Sequence, residues 1–65
     1  MDIVDKIAES IRSLKEGEKI ETSNEKTRIT VLSIGKGRYW TEFKDKKVSL
    51  NFFADESNLT AILRN

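Results

Sequence analysis

From Ile3 the apolar residues recur at Ile7, Ile11 and Leu14, with Val4 and Ala8 beside them, a spacing of three and four that draws one stripe along a helix. The stripe predicts a helix over residues 2–16. Asp2 stands where a capping side chain is wanted, and Asp5 where the helix dipole favours negative charge. Gly17 stands where a residue in the left-handed conformation stops a helix. Residues 18–22 carry a single apolar side chain, Ile20, and read as a brief edge strand or an extended connection.

The period then changes to two. Residues 27–34, 38–44 and 47–53 are β-rich, and separators as short as Gly35-Lys36-Gly37 and Asp45-Lys46 admit only antiparallel hairpins. The last segment opens at Ala54 or Asp55, with Asp55 as a cap, and sets Leu59, Ile62 and Leu63 on one side of a short helix. This order predicts one small α+β domain over residues 1–65: N-terminal helix, antiparallel three- to four-stranded meander, short C-terminal helix. Both apolar helix faces need the same side of the sheet, so the fold is two-layered with one sheet face open.

Strand parity says which side chains share that open face. Tyr39, Thr41 and Phe43 oppose Arg38, Trp40, Glu42 and Lys44, while Val48, Leu50 and Phe52 oppose Lys47, Ser49, Asn51 and Phe53. The apolar sets belong under the helices, since the core would otherwise hold unpaired charge. Ile7, Ile11, Leu14, Leu59, Ile62 and Leu63 are thus expected to dock on Phe43, Val48, Leu50 and Phe52. Truncating a buried Leu50 would cost roughly 2–5 kcal/mol. In the first of the three runs Ile29 and Val31 disagree in parity with Leu32 and Ile34, which calls for a bulge near Leu32 or for an apolar strip outside.

Charge sharpens the picture. Residues 26–47 hold seven cations against Glu42 and Asp45, net +5, whereas residues 1–25 are net −3, so a total of +1 hides a basic sheet and an acidic helical end. Arg28, Arg38, Trp40, Lys44 and Lys47 are therefore the candidate nucleic-acid-binding residues: the cations for phosphates, Trp40 for stacking on bases, with Tyr39 at the hairpin end as a second ring. DNA or RNA is the expected partner. The plainer alternative has Arg38, Lys44 and Lys47 only solvating the sheet and pairing with Glu42. A second class of function is homodimerisation or a protein partner, through Trp40, Phe53, Leu32 and Ile34 as an exposed apolar patch. A monomer or weak dimer is expected, with dimerisation favoured if Leu32 and Ile34 both face outward.

Composition excludes more than it suggests. With neither histidine nor cysteine, the chain lacks the usual general base, the thiol nucleophile and thiolate metal sites, so no enzymatic activity, small-molecule substrate or cofactor is expected. The carboxylate pairs Asp2/Asp5, Glu16/Glu18 and Asp55/Glu56 read as helix-end charges rather than as metal ligands. Gly35-Lys36-Gly37 joins two strands and so reads as a hairpin, not a phosphate cradle. No signal-peptide or membrane-spanning pattern is present, which makes the cytoplasm the expected location. The lack of Cys, His, Gln and Pro beside abundant Lys and Glu leans toward a heat-adapted source. The order helix, three strands, helix is similar to that of the double-stranded RNA-binding domain, which places basic residues at the start of its last helix. This chain has Asp55 and Glu56 there, and that function is not carried over.

Overall fold

The structure is a computed structural model and describes residues 3–64. Asp2, the expected helix cap, lies outside the described residues. The elements run α1 (Ile3–Ser10), a 3₁₀ turn (Ile11–Ser13), β1 (Lys19–Ser23), β2 (Arg28–Gly35), β3 (Arg38–Lys44), β4 (Ser49–Asp55) and α2 (Glu56–Arg64). The four strands form one antiparallel sheet in the order β1-β2-β3-β4, so the small α+β domain is the expected one, with the optional strand present.

The first helix is shorter than its apolar stripe. Its last turn tightens into the 3₁₀ segment, and Leu14 takes extended backbone at φ −74° and ψ 129°. Gly17, expected to stop the helix, instead turns the chain into the sheet. At φ 88° it follows Glu16 in a turn closed by the Glu18 N–H on the Lys15 carbonyl at 2.9 Å, and its own N–H donates to the Ser33 carbonyl of β2 at 2.8 Å.

Local chemistry fixes each hairpin. Asn24 Oδ1 accepts the N–H groups of Lys26 and Thr27, both at 2.9 Å, and Asp45 Oδ1 accepts those of Lys47 and Val48 at 2.8 and 2.7 Å. These two turns therefore have the same construction. Val48, expected in the third run, is drawn into the turn, and Lys47 is at its apex rather than on a strand. Between β2 and β3 the two-residue loop Lys36-Gly37 has φ 58° and 72°, the signs of a type I′ turn.

The expected irregularity in β2 falls two residues beyond Leu32. Ser33 opposes Tyr39 and Gly35 opposes Arg38, so Ile34 is the extra residue. Unbroken alternation up to that point keeps Ser33 in the interior and leaves Leu32 on the outer face, opposite Trp40. Both anticipated outcomes thus occur together: a bulge, and an apolar strip outside.

The core lies between the helices and one sheet face. Ile7, Ile11 and Leu59 from the helices pack with Ile29, Val31, Tyr39 and Ala54, and Leu14, Phe43, Phe52 and Leu63 pack partly buried around them. Arg64 of α2 pairs with Asp5 of α1, tying the helices together. One expectation fails here: Leu50, Val48 and Ile62 are not core, being 49%, 43% and 41% exposed. With only nine residues, α2 leaves the inner face bare toward the Asp45 turn, and these three line a groove there with Phe43, Phe52 and Leu63.

Candidate functional site

The helix-free face is built in rows, because register places equivalent residues of the four strands side by side. Lys19 opposes Leu32, Leu32 opposes Trp40 and Trp40 opposes Phe53, giving one row across the sheet. The next row toward the Asn24 and Asp45 turns is Glu21, Thr30, Glu42 and Asn51. The row after that is Ser23, Arg28, Lys44 and Ser49. Alternation along each strand keeps all three rows on one side.

The aromatic row is the main apolar feature of this face. The rings of Trp40 and Phe53 have centroids 4.7 Å apart at an interplanar angle of 56°, a tilted contact suited to opposed rings on neighbouring strands. Phe53 is 60% exposed, Trp40 and Leu32 are partly buried, and Ile34 is exposed at the bulge. The indole N–H donates to Glu42 Oε2 at 3.0 Å, so the ring's polar edge is satisfied and its π surface is what a ligand would meet. Glu42 is thereby engaged with the indole, not with Arg38, Lys44 or Lys47.

The five candidate residues separate in space. Arg28 and Lys44 are cross-strand neighbours. Lys47, at the apex of the Asp45 turn, lines the same end as Lys26 and Lys46 in a crevice between the two turns. Arg38 stands apart at the far end of β3, opposite Asp55 and close to the Arg12–Glu56 ion pair of 2.9 Å. Tyr39 is no stacking ring: it faces the core, and its hydroxyl donates to the Ile11 carbonyl at 3.2 Å. Burial, and then the Glu56 charge, push its phenol upward.

Cross-strand register also brings anions that a count along the chain had kept apart. Glu21 of β1 reaches to within 3.9 Å of Arg28 and lies 3.5 Å from the Thr30 hydroxyl, which donates to it. The strand positions of the outer face thus mix Lys19, Arg28, Arg38 and Lys44 with Glu21, Glu42 and Asp55. Positive charge instead concentrates at the turn end, where Lys26, Arg28, Lys44, Lys46 and Lys47 gather around Glu25 and Asp45, with Glu21 beside Arg28. Two backbone N–H groups, from Lys47 and then Val48, hold the Asp45 carboxyl below the usual aspartate range. Sequence reading passed over Lys26 and Lys46, though the parallel Asn24 and Asp45 turn signals placed both lysines at one end of the sheet.

Three of the carboxylates first read as helix-end charges have structural partners: Glu18 accepts the Lys15 N–H at 2.7 Å, Glu56 holds Arg12, and Asp5 holds Arg64. Among the described residues no three acidic, histidine or cysteine side chains converge, and no helix is long and apolar enough to cross a membrane. No protein-family model, curated protein or solved structure significantly matches the chain.

Proposed function

We propose that this chain is a non-enzymatic binding module that holds a single strand of DNA or RNA across its helix-free sheet face, in a cytoplasmic setting. Bases lie over Trp40 and Phe53, and the backbone runs toward Arg28, Lys44 and the lysines of the two turns. The observation that carries this reading is the Trp40–Phe53 pair, half-buried Trp40 beside exposed Phe53, on the same face as the Arg28–Lys44 pair. Lys44 lies four residue steps along β3 from Trp40, about 13 Å at strand rise. Stacking surfaces tolerate any base, and a cationic end supplies the phosphate attraction that Glu42, beside the indole, does not.

A second reading has its own observation. Leu32, Trp40 and Phe53 form a continuous apolar row over three strands, which also suits a protein partner or a second copy of the chain. Salt separates the two chemistries. If three phosphates are contacted, a tenfold rise in salt should weaken binding of a single-stranded oligonucleotide by roughly two powers of ten. Trp40→Ala should cost about 1–3 kcal/mol of binding, and Arg28→Ala or Lys44→Ala should flatten the salt dependence. Fluorescence anisotropy of a labelled oligonucleotide reads all three, and binding indifferent to salt and to Arg28 and Lys44 would reject the proposal.

A further inference from the structure

The sheet has two edges, and they are guarded differently. β1 is five residues long and carries Lys19 and Glu21, charges of the kind that keep an edge from pairing with another chain. β4 is seven residues long, Ser49–Asp55, with no lysine, no proline and no charge before its last residue. It exposes an apolar side chain on each sheet face, Leu50 toward the helix side and Phe53 on the outer side.

The ladder fixes which backbone groups this edge offers. The Asp45 N–H donates to the Val48 carbonyl at 2.9 Å, making these two a hydrogen-bonded pair. Alternation then makes Phe43–Leu50, Thr41–Phe52 and Tyr39–Ala54 the hydrogen-bonded pairs with β3, so Ser49, Asn51 and Phe53 turn their N–H and C=O groups away from it. Two bonds at the strand's end follow the same alternation. The Asp55 N–H points off the edge and ends on Asn58 Oδ1 at 2.8 Å, and the Glu56 N–H points inward to the Gly37 carbonyl at 3.2 Å.

We propose that β4 is a self-association edge, pairing antiparallel with β4 of a second copy to join the two sheets. With Asn51 opposite Asn51 on the two-fold axis, Ser49 opposes Phe53, so Ser49, Asn51 and Phe53 of each strand all find partners. The same register sets Leu50 against Phe52 of the second copy on the helix side, covering apolar surface that the chain's own helices leave bare. It also sets Lys47 against Asp55 of the second copy. Slipping the register so that Leu50 meets Leu50 would instead oppose Asp45 to Asp55, and slipping it the other way would call on the Asp55 N–H that Asn58 already occupies. The charges and the free backbone groups therefore select one arrangement, and it does not depend on nucleic-acid binding.

Sedimentation equilibrium of the intact chain at micromolar concentration tests this, with circular dichroism to confirm folding. The wild type is expected at twice the 7.5 kDa chain mass. Leu50→Lys puts a charge on the half-exposed joint, and Asn51→Pro removes a donor that β3 does not use; each is expected to raise the dissociation constant at least tenfold. Lys47→Asp should weaken the dimer, and adding Asp55→Lys should restore it. A wild type that stays monomeric overturns the proposal, as does a dimer that both Leu50→Lys and Lys47→Asp leave intact. If Asn51→Pro proves unfolded, those two variants still decide.

Discussion

Thr41 shows how a single side chain can be out of step with its surroundings. It sits on the inner face of β3, fully buried, and its hydroxyl has no hydrogen-bond partner among the described residues. A desolvated hydroxyl without a partner is unfavourable, and valine fills nearly the same space without it. Thr41→Val is therefore expected to stabilise the domain by about 1 kcal/mol, raising the melting temperature by roughly 4–8 °C at this chain length. A lower melting temperature would mean that the hydroxyl has a partner. Asp45 offers the reverse case, a carboxylate that two backbone N–H groups favour in its charged form. Because its folded-state pKa is depressed, its contribution is present above the unfolded value and is lost as pH falls through the folded one. Asp45→Asn keeps an acceptor oxygen but no charge. The stability gap between wild type and this variant should thus narrow on acidification, and a gap constant with pH would assign the turn's stability elsewhere.

At the scale of elements, the sequence was most legible where a local rule decides the outcome. Three-and-four spacing marked both helices, and the short separators marked both hairpins of the meander. What escaped it depends on contacts between elements. The chain leaves its helical course at Leu14, and the Gly17 N–H then reaches Ser33 of β2, which no stripe of isoleucines announces. Parity did reveal the conflict in β2, but the bulge settles at Ile34, beside the glycine that opens the turn. Leu50 has core parity and a core residue type, yet α2 ends before covering it. The large penalty expected of a buried leucine accordingly does not apply to it in a single copy, and its exposure is what the β4 edge proposal explains.

Over the whole molecule, the candidate site was half legible. Trp40, Arg28 and Lys44 were identified from parity and charge, and they do share the face that the helices leave free. The basic sheet inferred from a count along the chain was an oversimplification, because register interleaves Glu21 and Asp55 from strands outside the counted segment. The cationic density sits at the turn end, with the aromatic row some 13 Å away along β3. Under the proposed function, phosphates would lie at the turns and bases toward Phe53. The most direct test is a nitrogen–proton NMR titration of the intact chain with a short single-stranded oligonucleotide at low salt. The largest shifts are expected at the Trp40 indole and at the amides of Leu32, Phe53, Arg28 and Lys44, with the amides of Ile7, Ile11 and Leu59 nearly unmoved. Shifts confined to the helix side, or none on the Trp40–Phe53 row, would contradict it.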